Sequence, residues 1–181
     1  MPGGFRPVQD LSGHSYTGKI FSYFVPASHS TLLAVGDLVT QTGDADVVTS
    51  FATADASVAG GNLTGAIVAT DFNVSNLEQK GLPAGIAGVI KVANDPDLLL
   101  EAEISNGTLA TADVGQNADI VATAATLSGG LVNSNMTVDA GTFAGTTAQM
   151  RLVRLKDGAV GTGVTAVFRI NESTIKSTVG V

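Results

Sequence analysis

The sequence predicts a mainly-β fold, a compact antiparallel barrel or sandwich-like domain with little helix and an extended N-terminal arm. Three observations predict it. Short apolar, β-branched runs recur along the chain, Gly, Asn and Asp clusters such as "AGGNLTG", "NDPD" and "KDG" separate them, and no segment sustains a 3.6-residue period over three turns.

The first 18 residues carry Gly3, Gly4, Gly13, Gly18, Pro2 and Pro7 with few apolar residues. They are expected to hold neither a helix nor a long strand and to form an arm ordered only where it lies on something. A β-rich domain over 19–181 follows. "KIFSYFV" (19–25) alternates, is aromatic and β-branched, and stops at Pro26. "STLLAVGDLV" (30–39) breaks at Gly36-Asp37, a turn signal, and its first half also fits a short helical turn. "VVTSFAT" (47–53), "GAIVATDF" (65–72), "IAGVIKVA" (86–93), "LLLEAEI" (98–104), "DIVATAATL" (119–127), "AQMRLVRL" (148–155) and "VTAVFRI" (164–170) complete the strand series. One helical turn is expected in "NVSNLEQKGL" (73–82), with Ser75 as cap, Glu78 three residues on and Gly81 ending it. Residues 105–147, rich in Ala, Thr, Gly, Asn and Ser, read as a long connection with short strands or a loop that a neighbour orders. Recurrences such as "TAD" and Gly-Gly have unequal spacings, so no solenoid is present.

Composition narrows the function classes. The chain has no cysteine, which excludes disulfides and thiolate metal sites. Charged residues are 14% of the chain against roughly 25% in an ordinary domain, which points to a surface covered by partners. A net charge of −7 with scattered Lys and Arg opposes nucleic-acid binding; only Arg151, Arg154 and Lys156 lie close together. No run approaches the roughly 18 apolar residues of a membrane span, and the N-terminus lacks a signal-peptide core, so no membrane partner is expected.

Candidate chemistry is sparse. "VANDPDLLLEAEISNG" (92–107) gathers Asp95, Asp97, Glu101 and Glu103. On a strand, Glu101 and Glu103 share a face with Leu99, about 7 Å apart, while Leu100, Ala102 and Ile104 take the other. Two carboxylates at that distance suit a cation or an acid–base pair. No His, Cys or oxygen-ligand loop accompanies them, so a turn–strand–turn with a charged wet face is the reading. "DADVVTS" (44–50) lacks the Gly and Glu of a calcium loop. His14 and His29 sit in Ser-flanked, turn-like sequence without a Gly-x-Ser-x-Gly elbow; surface or interface hydrogen bonding is expected of both. "GAVGTG" (158–163) lacks the Lys-Ser/Thr of a phosphate loop and reads as a hairpin. The residues indicate no enzyme, no cofactor and no metal.

Several segments, in order, resemble the tailed-bacteriophage capsid decoration (cement) proteins. They are "GGFRPVQDLSGHSYTGKI" (3–20), "YFVPAS" (23–28), "AVGDLVTQTG" (34–43), "GAIVATDFNVSNL" (65–77), "KVANDPDLLLEAEISNG" (91–107), "ADVGQNADIVA" (112–122) and "GTGVTAVFRINEST" (161–174). The resemblance implies a virion protein on the capsid exterior, made in the host cytoplasm. Its partners would be the major capsid protein and itself, as a homotrimer at three-fold and quasi-three-fold positions. It would cement neighbouring subunits, with avidity multiplying modest contacts. It also implies an N-terminal attachment arm over 1–18, with Phe5, Arg6 and Val8 as anchors and Tyr16 behind them. Two other classes share the composition: a tail or appendage subunit, and a receptor- or glycan-binding module, the latter opposed by a 5% aromatic content without Trp.

Overall fold

The computed structural model describes residues 3–71, 81–128, 131–144 and 147–175. In chain order the strands are β1 (Arg6–Asp10), β2 (Phe21–Val25), β3 (Leu33–Ala34), β4 (Leu38–Ala45), β5 (Ala52–Ala56), β6 (Gly65–Thr70), β7 (Gly81–Leu82) and β8 (Gly88–Ala93). Then come β9 (Leu98–Ser105), β10 (Asn117–Ala118), β11 (Ile120–Val121), β12 (Thr126–Ser128), β13 (Leu131–Asn133), β14 (Thr137–Asp139), β15 (Met150–Leu155) and β16 (Thr165–Ile170). Two 3-10 turns, Thr111–Asp113 and Ala140–Thr142, are the helical content among the described residues.

Two β-systems share one molecule. Strands β2-β5-β4-β6-β8 close a small barrel, antiparallel at every seam except β2–β5, which is parallel and joined by the single pair Phe24↔Thr53. The barrel is filled by side chains: Tyr23, Val25, Val39, Ala54, Ile67, Ile90 and Val92, with Leu33 and Leu82 added by the β3–β7 ladder. The second system is a seven-stranded sheet, ordered β10-β15-β16-β9-β14-β11, with β1 also pairing β9.

Strand alternation joins the two. On β4, Val39 faces the barrel interior and Leu38 the sheet; on β6, Ile67 and Ala66 divide in the same way. The sheet meets them with Leu100, Ala102, Ile104, Met150, Leu152, Ala166, Phe168 and Ile170. Buried Gln149 fastens the joint. Its amide donates to the Val58 and Gly61 carbonyls (2.8 and 2.5 Å), and its side-chain oxygen accepts from the Ile120 amide (3.1 Å).

Most of the expected strands form, with two corrections. Val47–Ser50 is the loop of the β4–β5 hairpin instead of a strand. The Asp46 carboxylate accepts from the Val48 and Thr49 amides and the Thr49 hydroxyl, and Ser50 takes φ 59°. A side chain that closes a turn this way prevails over the β preference of two valines. "DIVATAATL" divides into β11 and β12, bent where the Thr123 amide bonds back to the Val121 carbonyl (3.0 Å). The expected strand in "STLLAVGDLV" forms as β3 (Leu33–Ala34) and β4, broken at the Gly36-Asp37 turn, and the alternative of a helical turn is not taken. The helical turn expected over 73–82 falls outside the described residues except for Gly81 and Leu82, which are β7. Residues 105–147 do fold as a connection carrying short strands.

The N-terminal stretch departs furthest from a free arm. Residues 6–10 form β1, antiparallel to β9, and bulge between Pro7 and Gln9, which accommodates a proline without an amide proton. The chain then turns back so that Ser15 bridges Gln9 and the Tyr16 amide donates to the Val8 carbonyl (3.0 Å). Gly4 makes the entry possible. Its φ is +89°, and a Cβ there would lie 2.4 Å from the Ser134 hydroxyl oxygen.

Candidate interaction surfaces

The four residues singled out on the arm divide between inside and outside. Phe5 is 2% exposed, belongs to the sheet core and donates its amide to the Gly36 carbonyl (2.8 Å). It anchors the chain to itself and is closed to a partner in this fold, which corrects its reading as a surface anchor. Arg6 presents a side chain 65% exposed whose guanidinium lies on the Glu101 carboxylate. Val8 is half-buried within β1. Tyr16 is half-buried against the sheet core, and that burial pushes its phenol pKa up. The sequence signal for Phe5 lay in "GGFRPV", a lone aromatic set behind two glycines.

The acidic stretch folds as turn, strand, turn. The Asp97 amide donates to the Asp95 carboxylate (3.0 Å), and the Leu98 amide closes onto the Asp95 carbonyl (3.0 Å). Asn106, at φ 55°, lies just past the far end of β9. The carboxylates are drawn to separate cations. Asp95 meets Lys19 (2.9 Å), Asp97 meets Arg169 (3.7 Å), and Glu101 meets Arg6 and Lys156 (3.1 Å to the latter). Burial would raise the Glu101 pKa, but hydrogen bonds from Lys156 and Arg6 and their charges outweigh it and hold the group below the usual carboxylate range. Glu103 is exposed. Among the described residues, no three His, Cys, Asp or Glu side chains group closely enough to hold a metal ion.

These ion pairs belong to a larger feature, the outer face of the sheet. Cross-strand register places Arg6 beside Glu101, Glu101 beside Val167, Val167 beside Arg154, and Arg151 beside Arg169. With Lys156, held by Glu101, this gathers five of the chain's nine basic residues. Leu99 and Val167 lie on the same face yet are buried, and the apolar stems of the flanking Arg and Lys are the cover this face offers them. Arg154 reaches the Gln9 side-chain oxygen (3.2 Å); among the described residues neither Arg154 nor Arg151 has a carboxylate partner, and both are exposed. A cleft of about 280 Å³ opens beside the face, lined by Gly3, Gly4, Arg6, Glu101, Glu103 and Lys156, among others.

The second surface is the β4–β5 hairpin, whose far half projects from the barrel as an exposed ribbon. At its tip Val47 is 95% exposed and Val48 86%. The Asp46 bonds fix the tip, and the Asp46 pKa is lowered first by the Thr49 amide and then by the Thr49 hydroxyl. Asp44 stands beside it, and no Lys or Arg occurs between Lys19 and Lys80.

The histidines assemble no catalytic group. His14 is exposed, its amide and ring both directed at Asp10 (3.0 and 3.4 Å). His29, expected near the surface, is instead buried with Nδ1 2.9 Å from the Pro26 carbonyl oxygen. "GAVGTG" lies in the β15–β16 connection, where Gly161 and Leu109 exchange backbone hydrogen bonds at 2.9 Å each. Among the described residues no helix is long and apolar enough to cross a membrane. Comparison with protein-family models, curated proteins and solved structures found no match.

Proposed function

We propose that this chain is a structural virion protein that binds the outside of an icosahedral phage head, as a trimer, and cements neighbouring major capsid protein subunits. The order of the segments resembling decoration proteins supports the family assignment. One observation carries the cementing role: the fold presents two unlike exposed surfaces, an apolar hairpin tip and a cationic sheet face. A molecule that grips at two places bridges what it grips, and binding only to the expanded shell stabilises that shell.

The N-terminal segment enters this reading in altered form. Arg6 and the half-buried Val8 on β1 are offered to the shell, while Phe5, with Tyr16 packed on the same core, holds the N-terminal segment to its own sheet. Deleting residues 2–15 would remove a core ring and a strand, so intact protein makes the cleaner test. Purified protein is added to expanded and unexpanded shells and its occupancy measured by electron microscopy. Density at three-fold positions of expanded shells alone is the expected result; absence from both shells would refute the proposal.

A further inference from the structure

The basic residues are distributed unevenly. Five of nine lie on or beside β1, β15 and β16, on the outer face of the sheet, whereas the stretch between Lys19 and Lys80, which builds most of the barrel, has none. The inner face of that sheet packs on Leu38, Ala66 and Ala93 of the barrel strands, so its outer face points away from the barrel. Arg151 and Arg154 are exposed there without a carboxylate partner among the described residues. On the barrel, Asp44 and Asp46 precede the exposed Val47 and Val48, in a turn already fixed by Asp46.

We infer that copies of this chain associate head to tail, the acidic, valine-tipped β4–β5 hairpin of one copy docking on the cationic outer sheet face of the next. The occupant follows from charge. A two-fold contact through the sheet face would set Arg151 and Arg154 against their own copies, and one through the hairpin would set Asp44 and Asp46 against theirs; like charges so placed are repelled. Joining the two different surfaces matches opposite charges, and such a heterologous contact closes into a ring or runs on as an open chain. The tip supplies the apolar centre, and its ordering cost on binding is small because the turn is preformed. This rests on the proposed cement role and assigns both surfaces to neighbouring copies, so that what each copy bridges is the next copy on the shell, while the N-terminal segment is left to meet the shell itself.

The test uses isolated protein, without shells. Sedimentation velocity over a concentration series is expected to show association in about 50 mM salt that recedes in about 500 mM salt, where surface charges are screened. Arg151→Glu with Arg154→Glu, and separately Val47→Ser with Val48→Ser, should each weaken association by about tenfold or more. Adding Asp44→Lys to the Arg-to-Glu chain should restore it. All these side chains are exposed, and unchanged circular dichroism and melting confirm that the variants fold. A wild-type protein that stays monomeric in low salt overturns the inference, as does association that survives either variant or is not restored by Asp44→Lys. A monomer that still decorates shells would refute this inference alone; self-association without shell binding would refute the cement role alone.

Discussion

The barrel and the seven-stranded sheet bury their apolar side chains by different means. The barrel closes on itself, so its strands present no free edge at the seams and its interior is almost wholly Val, Leu, Ile and Ala, with one tyrosine whose hydroxyl accepts from Asn94 (2.8 Å). The sheet stays open. It borrows outer faces of barrel strands to complete its core, and it relies on Gln149 and on a charged exterior of Arg and Lys over Leu99 and Val167. Closure therefore spares polar machinery, while an open sheet needs staples at its joints and long side chains on its back.

The largest test of this contrast is core truncation. Phe168→Ala, in the sheet core, should cost about 3–5 kcal/mol, and Ile67→Ala, in the barrel, about 2–5 kcal/mol. Because β4 and β6 serve both cores, denaturant unfolding of either variant should remain one transition by every probe. Two separated transitions would show the systems to be independent. Next is the staple. Gln149→Ala takes the partner from the Gly61 carbonyl and the buried Ile120 amide, leaves the Val58 carbonyl only the Gly61 amide (3.3 Å), and should lower the unfolding free energy by about 1–3 kcal/mol.

Smaller but more discriminating is pH. Asp37, buried at the β3–β4 turn, has its pKa raised by burial against the hydrogen bond it accepts from the Ala34 amide (2.8 Å). Its contribution to stability is fully present below the ordinary carboxylate pKa and is lost as pH rises through the raised folded value. Glu101 on the sheet has the opposite sign: its contribution is present above the ordinary value and is lost as pH falls through the lowered folded one. Unfolding curves across acidic pH should show Asp37→Asn gaining on wild type as pH rises, by an amount on the order of 1 kcal/mol. Glu101→Gln should fall behind over the same direction, by less than about 1 kcal/mol because its Arg6 partner is largely exposed. Matching signs would dissolve the contrast. The smallest effect belongs to the hairpin tip: Val47→Ser with Val48→Ser should leave stability within about 0.5 kcal/mol, since neither side chain packs on the core.

The β class and most long strands were legible because period-two alternation reports burial directly. Leu100, Ala102 and Ile104 inward with Glu103 outward is a pattern that few other structures allow. Closure of the barrel was not legible. It depends on which edges meet, and the β2–β5 pair lies some thirty residues apart in the chain with nothing local to mark it. The hairpin loop was misread because β propensity speaks for isolated residues, whereas a single Asp46 carboxylate bound three donors at once. The cationic face was visible only as "RLVRLK"; Arg6 and Arg169 joined it through register, a long-range fact.

The parallel seam of the barrel has a consequence for motion. One residue pair holds β5 to β2, whereas β2 and β8 are joined by a ladder running from Phe21 to Val25. Such a clasp opens before the rest of the ring. Amide protons in β5 should then be traded for solvent deuterium well ahead of those in β8, and the β4–β5 ribbon would swing as a flap whose pivot is the barrel wall itself.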